Sequence, residues 1–210
     1  MLSFLAKKVP RTRTATQNPV VFDGGRASIE FKSPADRYLV INRWPPNSNE
    51  ANRNIALRPP LHWHRYQTET FHVLEGKAKF TCDGHEIIKS KAETMVIAPR
   101  TIHTFCNASE VEELVIEFVL EPKSKGRDEA FFRAWNVQSY RDDCRKAGCS
   151  RSLPQLLLFN WLGDVVPVFP GPAYVMRPLG VFMNFVGGLL IGKYILGYRE
   201  SYPEYYKPHQ

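Results

Sequence analysis

The segment His62-Trp63-His64-Arg65-Tyr66-Gln67-Thr68-Glu69, answered by His103 further along the chain, decides the fold of this protein. His62 and His64 are two residues apart, so their side chains project from the same face of a β-strand. Glu69 follows after a gap that suits a bend and a second, returning strand. About forty residues then separate His64 from His103, which is enough chain for further strands to return to the same place. Three imidazoles and one carboxylate therefore predict a metal site built on paired strands.

The first part of this pattern resembles a motif of the cupin family. That motif has two His separated by a single residue, then a Glu and a Gly, and it matches His62, His64, Glu69 and Gly76. Gly at the last position suits a tight turn, because a residue without a Cβ tolerates a positive φ. The resemblance implies that the two His and the Glu are metal ligands.

A second cupin motif ends in a His that is followed four residues later by an Asn, and His103 and Asn107 match it. The resemblance implies that His103 is the fourth ligand, and we expect Asn107 to brace a nearby turn. Earlier in this motif the family has Gly, Pro and Gly where this chain has Ala92, Ala98 and Arg100. Because the ligand positions are kept, these differences concern loop geometry more than metal binding.

The resemblance extends over roughly residues 20–120, about half of the chain. It implies a mainly β fold, in which a cupin double-stranded β-helix (jelly-roll) barrel is followed by a C-terminal α-helical extension. Cupins carry iron, manganese, nickel, zinc or copper between their sheets. We therefore expect a divalent transition metal as cofactor, and the donor set does not discriminate among Fe, Mn, Ni, Cu and Zn.

Short apolar or alternating segments, punctuated by Gly and Pro at intervals of about 8–12 residues, predict the strands of the barrel. They are Val20–Phe22, Ser28–Lys32, Tyr38–Trp44, Thr68–Leu74, Lys77–Cys82, Glu86–Ser90, Thr94–Ile97, His103–Asn107 and Glu113–Leu120.

The chain as a whole divides into three predicted parts. Residues 1–19 form a flexible basic arm, residues 20–121 the barrel, and residues 122–210 a helical, apolar extension. In the extension, Asp128–Lys146 has the periodicity of an amphipathic helix, and residues 152–162 that of a second helix. Prolines at positions 167, 170, 172 and 178 predict a rigid connector before the apolar segment Leu179–Leu196.

The apolar segment Leu179–Leu196 has three interpretations. It spans a membrane, lies in a membrane face, or packs on the barrel or on a second protomer. Only 15 residues separate Arg177 from Lys193, whereas a span needs about 20 apolar residues. A membrane surface contacted through residues 179–196 stays open as an alternative to packing, because the net charge is basic. Edge strands invite pairing, so we also expect a homodimer.

Composition narrows the class of protein. The 210 residues are 43% hydrophobic and 23% charged, which is ordinary for a globular chain. The net charge of +7 is spread without a dense basic cluster or nucleic-acid motif, so no nucleic-acid partner is expected. Four Cys without a C-x-x-C motif indicate reduced thiols in an intracellular, cytoplasmic protein, with membrane association as the open alternative.

The predicted metal supports several reactions on a small-molecule substrate. It activates O₂, or it acts as a Lewis acid toward a carbonyl or an enol. Glu69 is the predicted catalytic base, because a carboxylate that leaves the metal is able to carry a proton. Arg43, Tyr66 and Arg100 are candidates to bind an acidic group of the substrate. The bulky apolar residues of the barrel strands favour a largely apolar, aromatic or polyketide-like molecule.

Two functional hypotheses follow. The first is a metal-dependent cupin enzyme that acts by dioxygenation or by isomerisation, decarboxylation or cyclisation. The second is a non-catalytic cupin module that binds a small molecule and is tethered to a membrane by its C-terminal segment. The four ligand positions favour the enzyme.

Overall fold

The computed structural model describes residues 2–47, 58–136 and 139–208, and it divides the chain into two compact units. The first unit, Asn18–Lys125, is built of β-strands. They are β1 (Val20–Phe22), β2 (Ala27–Phe31), β3 (Val40–Trp44), β4 (His62–His64), β5 (Thr68–Glu75), β6 (Lys77–Cys82), β7 (His85–Ser90), β8 (Thr94–Ile97), β9 (His103–Asn107) and β10 (Leu114–Glu121).

The strands form two antiparallel sheets. One has the order β1-β2-β3-β10-β5-β8, and the other contains β4-β9-β6-β7. The predicted strands lie within two residues of the observed ones, because alternating polar and apolar residues reveal strands with one buried face. The predicted mainly β jelly-roll barrel is therefore confirmed.

An aromatic cluster fills the space between the two sheets. Phe71 lies at its centre, with ring centroids 4.8 Å from Phe105 and 5.2 Å from both Phe80 and Phe118. Trp44 stacks on Phe105 at 4.8 Å. All five side chains are buried, so they form the apolar core of the barrel.

Gly76 sits in the turn between β5 and β6 for a steric reason. Its φ is +75°, and a Cβ at this position would collide with the carbonyl oxygen of Glu113. The next hairpin, between β6 and β7, turns through Asp83 and Gly84, whose φ values of 47° and 85° suit a two-residue turn. Gly84 has open space around it. Of these two glycines, Gly76 alone is required both by conformation and by close backbone approach.

The second unit comprises Met1–Gln17 and Gly126–Gln210. Its elements are α1 (Lys125–Phe131) with a π-helical turn (Phe132–Asn136), α2 (Ser139–Lys146), α3 (Leu153–Leu162), β11 (Val165–Pro167), and α4 (Ala173–Met183), which continues as a π-helix (Asn184–Ile195). The predicted helical extension is therefore confirmed as a class of structure.

Details of the helical unit differ from the prediction. The expected single helix Asp128–Lys146 is observed as α1, a π-helical turn and α2. The expected proline connector ends at Pro172, because α4 begins at Ala173 and runs through Pro178. Pro178 cannot donate the backbone hydrogen bond of an ordinary helical residue, yet the helix continues past it. The helix is therefore longer than the apolar segment that predicted it.

Residues 2–17 of the predicted basic arm belong to the helical unit and contact its other elements. Val9 is buried in a core that includes Tyr140, Phe159 and Tyr205. Thr12 donates hydrogen bonds from its backbone and hydroxyl groups to the carboxylate of Asp143, at 2.9 and 2.6 Å. These contacts join residues far apart in sequence, and for that reason the polar composition of the arm did not predict them.

Candidate metal centre

Four polar residues of the barrel unit meet between the two sheets. β4 contributes His62 and His64 from one face, and β9 contributes His103, which pairs directly with His62. β5 of the opposite sheet contributes Glu69. One ligand atom from each residue lies within 4.8 Å of the others, and all four residues are buried. The structure thus brings together the four residues that the sequence predicts as metal ligands.

Backbone carbonyls orient two of the imidazole rings. Nδ1 of His62 lies 2.8 Å from the carbonyl oxygen of Pro60, and Nδ1 of His103 lies 2.9 Å from that of Thr101. Because a carbonyl oxygen only accepts, each Nδ1 carries the hydrogen. This arrangement orients Nε2 of both rings for binding a cation, as in known His–metal sites.

Contacts at the remaining atoms show that the group suits a cation. Nε2 of His103 lies 2.9 Å from a carboxylate oxygen of Glu69, so a proton must lie between them. Nε2 of His64 is buried, is 3.7 Å from the same oxygen, and has no hydrogen-bond partner among the described residues. A buried nitrogen without a partner is costly. A metal ion would replace the shared proton and satisfy the unpartnered nitrogen.

The electrostatics of His62 and Glu69 agree with this interpretation. Burial, together with the neighbouring His103 and His64, lowers the pKa of His62 to about 3, which keeps its imidazole neutral. Burial alone would raise the pKa of Glu69, but the hydrogen bond from His103 and the nearby rings of His103 and His64 lower it on balance. Burial likewise opposes protonation of His103, yet the hydrogen bond and charge of Glu69 raise its pKa. A neutral imidazole and an ionised carboxylate are the forms that bind metals.

Two turns of the barrel unit keep a left-handed backbone without Gly. Ala92 has φ of 66° and Arg100 has φ of 70°, at the positions where the second motif differs from cupins. The backbone N–H of Arg100 donates to the carbonyl oxygen of His64 at 2.8 Å, and that of Ala92 to Val73 at 2.8 Å. The loop geometry therefore survives the loss of Gly, at a conformational cost of about 1–2 kcal/mol for each residue.

Asn107 braces the turn that follows β9. Its side-chain amide donates to the carbonyl oxygens of Pro45 and Glu112 at 3.0 and 2.8 Å, and its oxygen accepts from the backbone N–H of Ser109 at 2.9 Å. The side chain is buried. The structure thus gives it the bracing contacts that the sequence predicts.

The structure does not bring the predicted substrate-binding residues to this centre. Arg43 lies on the exposed face of β3, between two inward-facing neighbours, and its guanidinium forms a 2.6 Å ion pair with Glu113. The ring of Tyr66 is exposed and lies against Arg65. Arg100 is exposed, and its backbone N–H contacts β4 at the carbonyl oxygen of His64. These placements give no support to a substrate-binding role for Arg43, Tyr66 or Arg100.

Cys82 is a residue of the site that the sequence did not indicate. It pairs directly with His103 across β6 and β9, so the two side chains share one face. Burial raises the pKa of its thiol, with smaller effects from the charges of Asp83 and Glu69. Only the register of the two strands reveals this position, and neither Cys spacing nor a motif points to it.

Aromatic residues occupy the neighbouring inward-facing positions of the same strands. Phe71 is the next inward-facing residue after Glu69, and Phe105 is the next after His103. Phe80 precedes Cys82 in the same way on β6. The polar group therefore borders an apolar layer, which excludes water from one side of it.

Comparison with known proteins places this site in context. Residues 56–119 match the protein family described as Cupin domain. The chain is 36% identical over 158 residues to the oxidoreductase iacF of Pestalotiopsis fici, covering 71% of this chain and 76% of that protein. It is 29% identical over 208 residues to the "Probable oxidoreductase virH" of Hypocrea virens, covering 97% of this chain and 93% of that protein. It is 26% identical over 227 residues to the epoxidase atD of Aspergillus terreus, covering 94% of this chain and 66% of that protein.

Proposed function

We propose that this chain, which belongs to the cupin family, is a metal-dependent oxidoreductase, because relatives that match most of its length are named oxidoreductases. Its substrate in this proposal is a small, largely apolar organic molecule. The observation that carries the proposal is the buried group of three imidazoles and one carboxylate, with their ligand atoms within 4.8 Å of one another.

His62, His64, Glu69 and His103 would hold the ion in this proposal. When bound, a divalent transition metal supplies a Lewis acid and a binding position for O₂. The ligands come from β-strands of two sheets, so they are held rigidly and need little rearrangement to bind.

Glu69 is the candidate base of the reaction. Its carboxylate is buried and already shares a proton with Nε2 of His103, 2.9 Å away. The His103 ring is fixed in turn by the carbonyl oxygen of Thr101. A carboxylate in this position is able to accept a proton from a substrate.

The layer of Phe71, Phe80 and Phe105 beside the polar group supports an apolar substrate. In this proposal the substrate lies at the edge of this packed layer, beside the metal ligands and the thiol of Cys82. Pockets of this composition bind apolar molecules and orient them by a few polar contacts.

The experiment that tests the proposal is substrate-dependent oxygen uptake. Metal-free protein is loaded separately with Fe(II), Mn(II), Ni(II), Cu(II) or Zn(II), and each form is screened in an oxygen electrode against phenols and enols. Products formed under ¹⁸O₂ are then analysed by mass spectrometry. Uptake of O₂ that requires both substrate and one metal, with ¹⁸O in the product, supports an oxygenase.

Glu69→Gln and Glu117→Gln serve as matched variants in this screen. Both remove a carboxylate that contacts a His, but Glu117 contacts His72 on the outer face of the barrel. We expect Glu69→Gln to abolish turnover and Glu117→Gln to retain it. Conversion of a substrate without O₂ uptake would replace oxidation by isomerisation, decarboxylation or cyclisation. Tight binding of a small molecule without conversion by any metal form would favour the non-catalytic module instead.

A further inference from the structure

The long apolar helix of the second unit contacts its own unit through a narrow stripe of small residues. Within the helix Ala173–Ile195, the buried residues are Gly180, Asn184, Gly188 and Gly192, spaced four apart. A Cβ at Gly188 would lie 2.5 Å from the backbone of Leu157, and one at Gly192 would lie 2.8 Å from the carbonyl oxygen of Pro154. The helix therefore packs closely against α3 along this stripe, and beside the stripe the ring of Phe185 lies 5.5 Å from that of Trp161 on α3.

The remaining faces of the same helix carry bulky apolar side chains that are exposed. Phe182 and Tyr194 are each 60% exposed, and Tyr174 is 82% exposed. The others are Val175, Leu179, Phe185, Leu190, Ile191 and Ile195. This helix is long and apolar enough to cross a membrane, and most of its surface is uncovered within its unit. A core helix has the reverse arrangement, with its large apolar residues inside.

The first residues of the chain extend this exposed apolar surface. The backbone N–H of Leu2 donates to the carbonyl oxygen of Ile195 at 2.6 Å, so the N-terminal turn adjoins the end of the helix. Leu2, Phe4 and Leu5 are all exposed. We call these three residues, together with the exposed side chains of Ala173–Ile195, the apolar face. Contiguous exposed surfaces of this kind mark interaction sites.

The net charge of the chain lies entirely in the unit that carries the apolar face. Met1–Gln17 and Gly126–Gln210 contain 14 Lys and Arg against 7 Asp and Glu, which gives +7, the net charge of the whole chain. The barrel unit contains 14 of each and is neutral. Four of the seven acidic residues of the helical unit are buried, namely Asp128, Glu129, Asp143 and Asp164. The surface of this unit is therefore strongly basic.

We propose that the apolar face binds the surface of an anionic lipid bilayer, with the helix Ala173–Ile195 lying in the interface. Apolar and aromatic side chains enter the boundary between headgroups and acyl chains, and the basic residues of the same unit are attracted to anionic headgroups. A second copy of the chain would supply apolar surface but equal positive charge. The charge distribution therefore favours lipid over self-association as the partner.

The helix lies on the bilayer in this proposal and does not cross it. Its small stripe is covered by α3 near Gly188 and Gly192 and by β11 near Gly180, whose Cβ would lie 2.8 Å from Val166. The side-chain amide of Asn184 also donates to the carbonyl oxygen of Val165 at 2.8 Å. A crossing helix would have to leave these contacts or carry α3 and β11 into the hydrocarbon.

The test is co-sedimentation of the full chain with vesicles. One set contains phosphatidylcholine with phosphatidylserine, and the other contains phosphatidylcholine alone, each at low and at physiological salt. We expect binding to the anionic vesicles that weakens as salt is added. Equal binding to both vesicle types at all salt concentrations, or binding to neither, would overturn the proposal.

Two sets of variants locate the binding surface. Phe182→Asp with Leu190→Asp should reduce vesicle affinity by about tenfold or more, since each substitution removes one buried apolar side chain from the lipid. The matched control is Ile88→Asp with Val96→Asp, which changes two exposed apolar residues of the barrel unit. The control should bind vesicles as the parent protein does. An equal loss of vesicle affinity in both double variants would contradict the assignment of the apolar face.

A second pair of substitutions tests the electrostatic contribution to vesicle binding without altering the helix. Lys8 and Arg13 are exposed residues of the basic N-terminal segment. Lys8→Gln with Arg13→Gln should weaken binding to anionic vesicles by about tenfold or more at low salt and leave the circular dichroism spectrum unchanged. If vesicles are not bound, and sedimentation instead shows a dimer that Phe182→Asp with Leu190→Asp dissociates, the apolar face is a protomer interface and the proposal is wrong.

Discussion

A carboxylate oxygen of Glu69 lies 2.9 Å from Nε2 of His103, although the two residues belong to strands of different sheets. Nδ1 of the same imidazole is held by the carbonyl oxygen of Thr101. The pair therefore connects the two sheets at the point where His62 and His64 also project. A proton occupies this connection in the metal-free protein, and a metal ion would take its place.

Removing the charge of Glu69 should change the titration of His103. In metal-free Glu69→Gln, burial is no longer offset by the carboxylate, so the pKa of His103 should fall from above to below its usual value of about 6.5. Histidine NMR signals followed between pH 4 and 9 measure this change. Glu117→Gln, which alters the partner of His72, is the control and should leave His103 unaffected. An unchanged His103 titration in Glu69→Gln would refute the assigned pairing.

The neutral, buried His62 should make the metal-free protein sensitive to acid. The pKa of His62 is lowered to about 3 in the fold, so below about pH 6.5 the unfolded chain binds a proton that the folded chain does not. The free energy of unfolding should therefore fall as the pH decreases from about 6.5 toward 3. Urea unfolding of the parent protein and of His62→Asn at pH 7.5 and 5 measures this difference.

The loss of stability on acidification should be smaller in His62→Asn than in the parent protein. His85→Asn, at the exposed start of β7, is the control and should behave like the parent. If His62→Asn kept the full sensitivity to acid, His62 would not be buried in its neutral form.

Two glycines with similar backbone angles should differ in their tolerance of a side chain. Gly76 and Gly84 have φ of 75° and 85°, but only a Cβ at Gly76 meets a backbone oxygen, that of Glu113. Gly84→Ala should cost about 1–2 kcal/mol of unfolding free energy from conformation alone. Gly76→Ala should cost at least about 2 kcal/mol more, because backbone must move. Denaturant unfolding compares the two, and equal losses would contradict the close approach at Gly76.

The left-handed residues Ala92 and Arg100 offer a way to stabilise the barrel. Replacing either by Gly should raise the unfolding free energy by about 0.5–1 kcal/mol, because relief of backbone strain exceeds the entropic cost of Gly. Ala98 is exposed and does not have a positive φ, so Ala98→Gly is the matched control and should lose about 0.5 kcal/mol. Losses in all three variants would show that the turns are not left-handed in solution.

The sequence predicted the barrel and its central group well, because both depend on local patterns. Alternation of polar and apolar residues located the strands, and the spacing of His62, His64, Glu69 and His103 identified the four residues that the structure brings together. What the sequence did not reveal depends on pairing between distant segments. Cys82 joins the site through the register of β6 with β9.

For Arg43, the sequence suggested a functional role that the pairing of the strands does not support. Its charge suggested a role in binding, but its place on β3 puts it outward beside Glu113. In the helical unit, Thr12 of the N-terminal segment is held by Asp143, more than a hundred residues away. Proline composition also suggested a connector at Pro178, where the structure has a helix.

The central claim is that the buried group binds a divalent transition metal, and metal content measures it most directly. Untagged parent protein, His64→Gln and His85→Gln are purified identically and analysed by inductively coupled plasma mass spectrometry, before and after titration with each candidate metal. His64→Gln alters the buried ring whose Nε2 has no hydrogen-bond partner among the described residues, and His85→Gln alters an exposed one.

We expect about one metal ion per chain in the parent protein and in His85→Gln, and at least a tenfold weaker retention in His64→Gln. A parent protein that contains no metal and takes up none on titration would contradict the claim. Retention by His64→Gln equal to that of the parent would contradict the site.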